Sequence, residues 1–143
     1  MKKGETEMAL TIDRLGAFPE EGRKAREDKI FYKLGDENSI HMISGEKTPA
    51  LLSVWCSNDV IQFGTIKLLS GGPCPQQTEF DSHKGDAVFY VLKGPMTFFI
   101  RDRKETYDVE SGDFMFVPEG ETYKIVNYYG STAEAVFMVA PEF

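Results

Sequence analysis

The sequence predicts an all-β fold, and three observations support that class. Short runs rich in Val, Ile, Phe and Tyr recur from residue 40 onward, at roughly the 8–12-residue spacing that is typical of sandwiches and barrels. Glycine, proline, asparagine or aspartate stands at most junctions between these runs, where turns are needed. No long amphipathic helix interrupts them, so parallel βαβ units are not expected.

The predicted strands follow one another along the chain as 40–44, 50–56, 60–69, 87–92, 96–101, 105–109, 114–117, 122–127 and 133–139. Strand 87–92, AVFYVL, is apolar almost throughout, which is typical of a strand buried on both faces. We therefore expect it in the middle of a two-layered fold. In strand 122–127 apolar and polar residues alternate, so that Tyr123, Ile125 and Asn127 share one face.

Residues 1–39 differ in composition from the strand-rich part, 40–143. The segment PEEGRKAREDK, 19–29, is dense in mixed charge and nearly free of large apolar side chains, which fits one or two exposed helical turns or a loop. We predict that 1–39 is an arm, with a short helix and a strand that pack along the domain or across a partner chain. Residues 40–143 are predicted to form the β-barrel.

The composition limits which binding partners and which cellular compartment are expected. The chain has 143 residues, of which 41% are hydrophobic and 27% charged, and its net charge is −7. Such an acidic surface repels phosphate groups, so neither nucleic acid nor an anionic membrane is expected as a partner. The first residues lack the apolar core of a secretory signal, and we expect a cytoplasmic protein. Cys56 and Cys74 are expected to be reduced thiols, although their spacing alone leaves a disulfide open.

One segment, 112–127, carries a distinctive pattern of turn residues. Gly112 begins a short apolar run, Pro118 and Gly120 bracket a tight turn, and alternating residues then lead to Asn127. This order and spacing resemble the second sequence motif of the cupin superfamily: Gly, five residues, Pro-x-Gly, two residues, His, three residues, Asn. Tyr123 stands where that family has its metal-binding histidine.

The preceding segment is similar to the second half of the first cupin motif. Gly94 ends the run AVFYVLKG, and counting back from it places Ala87 at the motif's glutamate. The motif's His-x-His pair then falls on Asp81 and His83. The first half of the motif matches poorly, since Pro75 stands at its leading glycine. Together the two motifs span 75–127, and the strand rhythm extends the likeness to about 40–143.

The resemblance implies a small jelly-roll barrel, also called a double-stranded β-helix, with a degenerate metal site. The family's four ligand positions fall on Asp81, His83, Ala87 and Tyr123, and alanine offers no donor atom. We therefore favour no cofactor. As an alternative, Asp81, His83 and Tyr123 would hold a divalent transition metal, which would require ionising the phenol.

The predicted site residues surround the mouth of the barrel. We expect a small-molecule ligand to contact Gln77, Glu79, Asp81, His83 and Tyr123. Asp81, His83 and Tyr123 are also the candidates for acid–base catalysis. A plainer interpretation stands beside this one: His83 lies in the polar run TEFDSHKGD and fits a solvated loop, while Tyr123 fits a packed ring that fills the place of a metal.

Three hypotheses for function follow, and the sequence leaves open whether the protein is an enzyme. The first is a small-molecule-binding cupin, either a metabolite sensor or a metal-independent isomerase or epimerase. The second is a metal-dependent cupin enzyme such as a dioxygenase, isomerase or decarboxylase. The third is a non-catalytic dimerisation module, similar to the cupin domain of kinetochore proteins, whose second motif resembles VPEGETYKIVN. The resemblance also implies a homodimer.

Overall fold

The described part of the chain folds into two antiparallel β-sheets. The computed structural model describes residues 14–44, 49–74 and 82–142. Its strands are β1 Ile40–Ser44, β2 Ala50–Ser57, β3 Gln62–Leu68, β4 Pro73–Cys74, β5 Asp86–Lys93, β6 Met96–Ile100, β7 Glu105–Val109, β8 Phe114–Val117, β9 Tyr123–Val126 and β10 Ala133–Ala140. A helix, α1 Gly22–Asp28, and a 3-10 turn, Asp36–Asn38, precede them.

The two sheets have the strand orders β1-β2-β3-β10-β5-β8 and β4-β9-β6-β7. Every strand pairing is antiparallel, and strands distant in sequence lie side by side, as β3 does with β10. This arrangement confirms the predicted all-β, jelly-roll fold. No helix among the described residues is long and apolar enough to span a membrane.

The predicted strands all occur, and the differences at their ends have local causes. Predicted strand 60–69 begins later, at Gln62, because the side-chain Oδ1 of Asn58 accepts hydrogen bonds from the backbone N–H groups of Val60 and Ile61, at 2.9 and 3.0 Å. These bonds hold Val60 and Ile61 in a turn. The sequence analysis missed β4, which has two residues, one of them proline, and so carries no alternating pattern.

The core lies between the sheets and is filled by alternate residues of each strand. In β5 and β10 the inward-facing side chains are all buried: Ala87, Phe89, Val91, Ala135, Phe137 and Val139. The prediction that 87–92 is buried on both faces is wrong for this chain, because Tyr90 and Leu92 are 44% and 48% exposed. β5 does lie inside the six-stranded sheet, between β10 and β8. Its second apolar face is left uncovered by the described residues.

The arm contacts the barrel of its own chain through residues that begin near 18. The backbones of Phe18 and Ser57 exchange two hydrogen bonds, of 2.9 and 2.8 Å. Arg26 of α1 forms an ion pair with Asp59 at 2.6 Å, and this guanidinium lowers the pKa of the Asp59 carboxyl. Cys56, next to the bridge, carries a free thiol whose pKa is raised by burial. The division into an arm, 1–39, and a barrel, 40–143, stays a prediction.

A tight turn carries the chain from β8 in one sheet to β9 in the other. The N–H of Glu121 donates to the carbonyl of Pro118 at 3.3 Å, which closes the four-residue turn. Gly120 has φ +83°, a left-handed conformation that glycine adopts without strain. The predicted turn is therefore present, and it connects two strands that pair with different partners.

Asn127 has a structural role at the end of β9. Its side chain is fully buried, and its Nδ2 donates to the carbonyls of Leu68 and Ser131 at 3.0 and 2.7 Å. Its Oδ1 accepts from the backbone N–H of Tyr129 at 3.0 Å. One amide side chain thus joins the end of β3, the end of β9 and the loop before β10.

We expect Asn127→Ala to destabilise the fold by roughly 2–4 kcal/mol, because it leaves buried backbone groups without partners. Urea unfolding followed by circular dichroism measures this change. The matched control is Asn38→Ala, at an exposed position where the amide Oδ1 accepts one hydrogen bond, from Gly35 N–H at 3.1 Å. Equal losses in the two variants would contradict the role given to Asn127.

Candidate functional site

A histidine and a tyrosine meet between the two sheets. His83 lies in the segment that leads into β5, and Tyr123 is the first residue of β9. The imidazole Nε2 and the phenol oxygen are 2.5 Å apart, within hydrogen-bonding distance. The ring centroids are 5.4 Å apart, with the planes tilted by 49°. The structure thus brings together two of the predicted site residues that are 40 positions apart in sequence.

Aromatic packing fixes the Tyr123 ring. The side chain is 4% exposed. Its ring stacks on Phe98 of β6, with centroids 6.3 Å apart, and meets Phe89 of β5 edge to face at 5.6 Å. In the register of the small sheet, Tyr123 lies opposite Ile100. Since neighbours from both sheets hold the ring, its hydroxyl has little freedom to turn away from His83.

Backbone hydrogen bonds position His83. Its carbonyl accepts from the N–H of Gly120 at 3.1 Å. Three residues later, the carboxylate of Asp86 accepts from the N–H of Glu119 at 2.9 Å. The turn between β8 and β9 therefore holds the segment before β5 in place. The residue His83 is half-buried, and its side-chain Nδ1 is buried.

The position that corresponds to the family's glutamate is apolar and closed. Ala87 is fully buried on β5, opposite Val117 of β8 and Val139 of β10. A methyl group with these neighbours contributes packing and no donor atom. The alignment predicted from the sequence is consistent with this inward-facing placement.

The other predicted site residues, Gln77, Glu79 and Asp81, lie outside the described residues. The convergence of Asp81 with His83 and Tyr123 therefore stays a prediction, as does a metal held by those three. Within 14–44, 49–74 and 82–142, no group of three or more His, Cys, Asp or Glu side chains is placed to hold a metal ion.

The described residues do not fit the metal centre that the fold family implies. His83 Nε2, the imidazole atom nearest the Tyr123 hydroxyl, shares a hydrogen bond with it, and Ala87 has no ligand atom. One imidazole and one phenol are fewer than the three protein ligands that a catalytic metal site uses. We therefore derive no chemistry through a metal.

The pair itself can exchange a proton. When Nε2 is unprotonated, the Tyr123 hydroxyl donates to it, and when Nε2 is protonated the imidazole donates to the phenol oxygen. Imidazole is the side chain whose charge ordinarily changes near neutral pH. Whether Nε2 is protonated or unprotonated, the pair can thus bind a polar ligand atom, and it can pass a proton to that atom.

A surface cleft of about 420 Å³ lies elsewhere, between the arm and β2. Its lining includes Phe18, Tyr32, Asp36 and Trp55, and it contains neither His83 nor Tyr123. The sequence analysis did not find it, because its residues come from separate stretches of the arm and the barrel. The aromatic residues Phe18 and Tyr32 of the arm, which both line the cleft, were the available signal in the sequence.

Comparison with known proteins finds a family model that matches part of the chain. Residues 73–139 match the family model described as a cupin domain, and this range contains β4 to β9 and most of β10. The match agrees with the jelly-roll architecture and with many cupin structures. This part of the chain is therefore similar to cupin domains. No curated protein matches the sequence.

Three solved structures illustrate the likeness. A predicted oxalate decarboxylase from Thermotoga maritima is 19% identical, with TM-score 0.62, covering 76% of this chain and 98% of its own. The polyketide cyclase RemF from Streptomyces resistomycificus is 18% identical, with TM-score 0.61 and coverages of 78% and 80%. The cupin domain of Schizosaccharomyces pombe Cnp3 is 14% identical, with TM-score 0.56 and coverages of 69% and 67%. At these identities the likeness shows the fold alone.

Restoring two family ligands tests the alignment of the site. We expect Tyr123→His combined with Ala87→Glu to raise the affinity for Ni²⁺ or Mn²⁺ by roughly 10–100-fold, because each change adds a donor atom at a ligand position. Isothermal titration calorimetry of folded protein measures the affinity. The control, Tyr123→Phe with Ala87→Gln, makes changes of similar size without those ligands. A folded double variant that binds metal no better than the control would contradict the alignment.

Proposed function

We propose that this protein is a small-molecule-binding cupin that acts without a metal at the family's position. The observation that carries the proposal is the contact between His83 Nε2 and the Tyr123 hydroxyl. It occupies two of the family's ligand positions with groups that bond to each other. The pair supplies the polar end of the binding site, and the ligand offers it a hydroxyl, carbonyl or carboxylate oxygen.

The surroundings of the pair support a site with one polar end and apolar walls. Phe89 and Phe98 pack against the Tyr123 ring, and Ala87 and Val117 lie buried beside them. Small-molecule sites commonly combine apolar walls with a few fixed polar groups. We infer a ligand with a compact apolar body, held by a hydrogen bond to the pair of His83 and Tyr123.

Proton transfer is the reaction class that such a pair can serve. A general acid or base must lie within hydrogen-bonding reach of the atom that it protonates. Because His83 Nδ1 is buried and Nε2 faces the Tyr123 hydroxyl, a ligand would meet the pair at the phenol oxygen, which can form a second hydrogen bond. Tyr123, which is buried, would hold the imidazole and share its proton. We propose an isomerisation or epimerisation by proton transfer as the activity to test.

The packing of the interior favours a second candidate, a non-catalytic module. The rings of Phe89, Phe98 and Tyr123 lie with centroids 5.2 to 6.3 Å apart and fill space between the sheets. If side chains fill the whole barrel in this way, the domain serves as a dimerisation module. The hydrogen bond between His83 and Tyr123 then has a structural role. The fold does not decide, since cupin structures with differently described activities share it.

A thermal-shift screen over sugars, organic acids and phosphate esters in the presence of EDTA tests the first proposal. We expect at least one class to raise the melting temperature despite the chelator. His83→Asn should weaken that binding by roughly 10–100-fold, the cost of a lost hydrogen bond to a polar ligand. Calorimetry gives the affinity.

The matched control is His41→Asn, because His41 lies on β1 and bonds to Ser53 Oγ and the carbonyl of Asp36, both at 3.1 Å. It should leave the binding unchanged. Binding that EDTA abolishes and added metal restores would overturn the proposal in favour of a metal-dependent cupin. A screen without any stabilising compound would favour the non-catalytic module.

A further inference from the structure

The cleft between the arm and β2 combines aromatic rings with a single carboxylate. Its volume of about 420 Å³ lies within the range of small-molecule sites. Phe18 and Tyr32 contribute rings from the arm, and Trp55 contributes one from β2. Among the described residues that line it, Asp36 is the only one with a charge, and none is a lysine or arginine. We call this space the arm cleft.

A bulge in β2 presents Trp55 to the arm cleft. The ladder with β3 passes from Val54 to Cys56 while β3 moves by one position, from 64 to 63, so that Trp55 is the extra residue. A bulge redirects a side chain and is common beside functional sites. The backbones lie close together here, since a Cβ atom on Gly64 would be 2.1 Å from the carbonyl oxygen of Ser53. Only glycine fits at that position next to the bulge.

The indole of Trp55 is held in place and still reaches solvent. The ring of Phe63 lies against it, with centroids 5.4 Å apart and planes tilted by 47°. This contact limits rotation of the indole, while 38% of the residue stays exposed. A ring fixed in this way loses little freedom when a ligand binds to it.

The second open ring of the arm cleft is that of Tyr32, which is 46% exposed. Its hydroxyl donates to Oε2 of Glu20 at 3.1 Å, and this bond orients the ring. The ring of Phe18, by contrast, is buried and already lies under the guanidinium of Arg14, 5.1 Å from its centroid. A ligand would therefore meet Trp55 and Tyr32.

The electrostatics of the arm cleft favour a positively charged ligand. Asp36 supplies a carboxylate at the lining, and the chain as a whole has a net charge of −7. Glu20 lies beside the Tyr32 ring, although its charge is partly balanced by Lys24 at 4.0 Å. An anion would be repelled by these groups, and an uncharged ligand would gain nothing from them.

We propose that the arm cleft binds a small organic cation with an alkylated ammonium group. The faces of Trp55 and Tyr32 attract such a group, because an aromatic ring is negative on its face and tryptophan is the strongest partner. Asp36 adds attraction between opposite charges. Asn38 and Ser39, which also line the cleft, can bond to a polar atom elsewhere in the ligand. This proposal is independent of any ligand at the pair inside the barrel.

The test is a fluorescence titration of the full chain with choline. Trp55 is the only tryptophan of the chain, so its emission reports directly on the arm cleft. We expect a saturable change in emission, with a dissociation constant on the order of 0.1–1 mM. The matched ligand is the uncharged isostere of choline, in which a tert-butyl group replaces the trimethylammonium group. It should bind at least about 5-fold more weakly.

Two variants, measured by calorimetry, assign the contacts. Trp55→Leu should weaken choline binding by roughly 3- to 30-fold, the cost of one cation–π contact. Its control is Tyr128→Leu, which removes a ring that is 64% exposed outside the cleft. Asp36→Asn should weaken binding by roughly 2- to 5-fold, as expected for an exposed ionic contact. Its control is Asp102→Asn, at an exposed position in the turn after β6. Both controls should keep the natural affinity.

Three outcomes would overturn the proposal. Equal affinity for choline and its uncharged isostere would show that the cleft binds through apolar contact alone. Unchanged choline affinity in folded Trp55→Leu and Asp36→Asn would place the cation elsewhere on the protein. The absence of any choline binding, by emission and by calorimetry, would also contradict it. Circular dichroism verifies the fold, and if Trp55→Leu does not fold, Asp36→Asn decides.

Discussion

The contact between the β8–β9 turn and the segment before β5 is the constraint on which the site depends. Two backbone N–H groups of the turn, those of Gly120 and Glu119, donate to His83 and Asp86. The turn also carries the chain from one sheet to the other, so the same few residues join the sheets and set the position of the imidazole. The distance between His83 and Tyr123 follows from this connection, because His83 is itself part of the contact and Tyr123 lies three positions after Gly120.

Aromatic packing has the organising role that a metal ion has in metal-binding cupins. A metal would draw ligands from both sheets to one point. Here the rings of Phe89, Phe98 and Tyr123 meet from β5, β6 and β9. Burial of each such ring contributes a few kcal/mol to the stability of the fold. The interior is therefore stabilised by non-directional apolar packing, and one hydrogen bond orients the His83 and Tyr123 side chains. This explains how a barrel with alanine at a ligand position can still hold His83 and Tyr123 in a fixed arrangement.

Sequence reasoning predicted the fold and the meeting of His83 with Tyr123, because turn residues and strand alternation are local signals. It could not place Asn127 as the link between three backbone segments, since its partners Leu68 and Ser131 come from the ends of other strands. The prediction for strand 87–92 was also wrong. An apolar run indicates that both faces of a strand are apolar, but it does not show whether the chain covers both of them. The outward-facing apolar residues of β8, β5 and β10 form rows across three strands, so these rows appear only when the register is known.

The four residues of β8, Phe-Met-Phe-Val, have a consequence for the solubility of the protein. β8 is an edge strand in the described sheet, and it contains neither a charge nor a proline to discourage pairing with foreign strands. Mutual repulsion of acidic molecules is then the main protection against precipitation. That protection fades near the isoelectric point, which is about 4.9. We therefore expect mildly acidic pH to precipitate the protein while the protein is still folded.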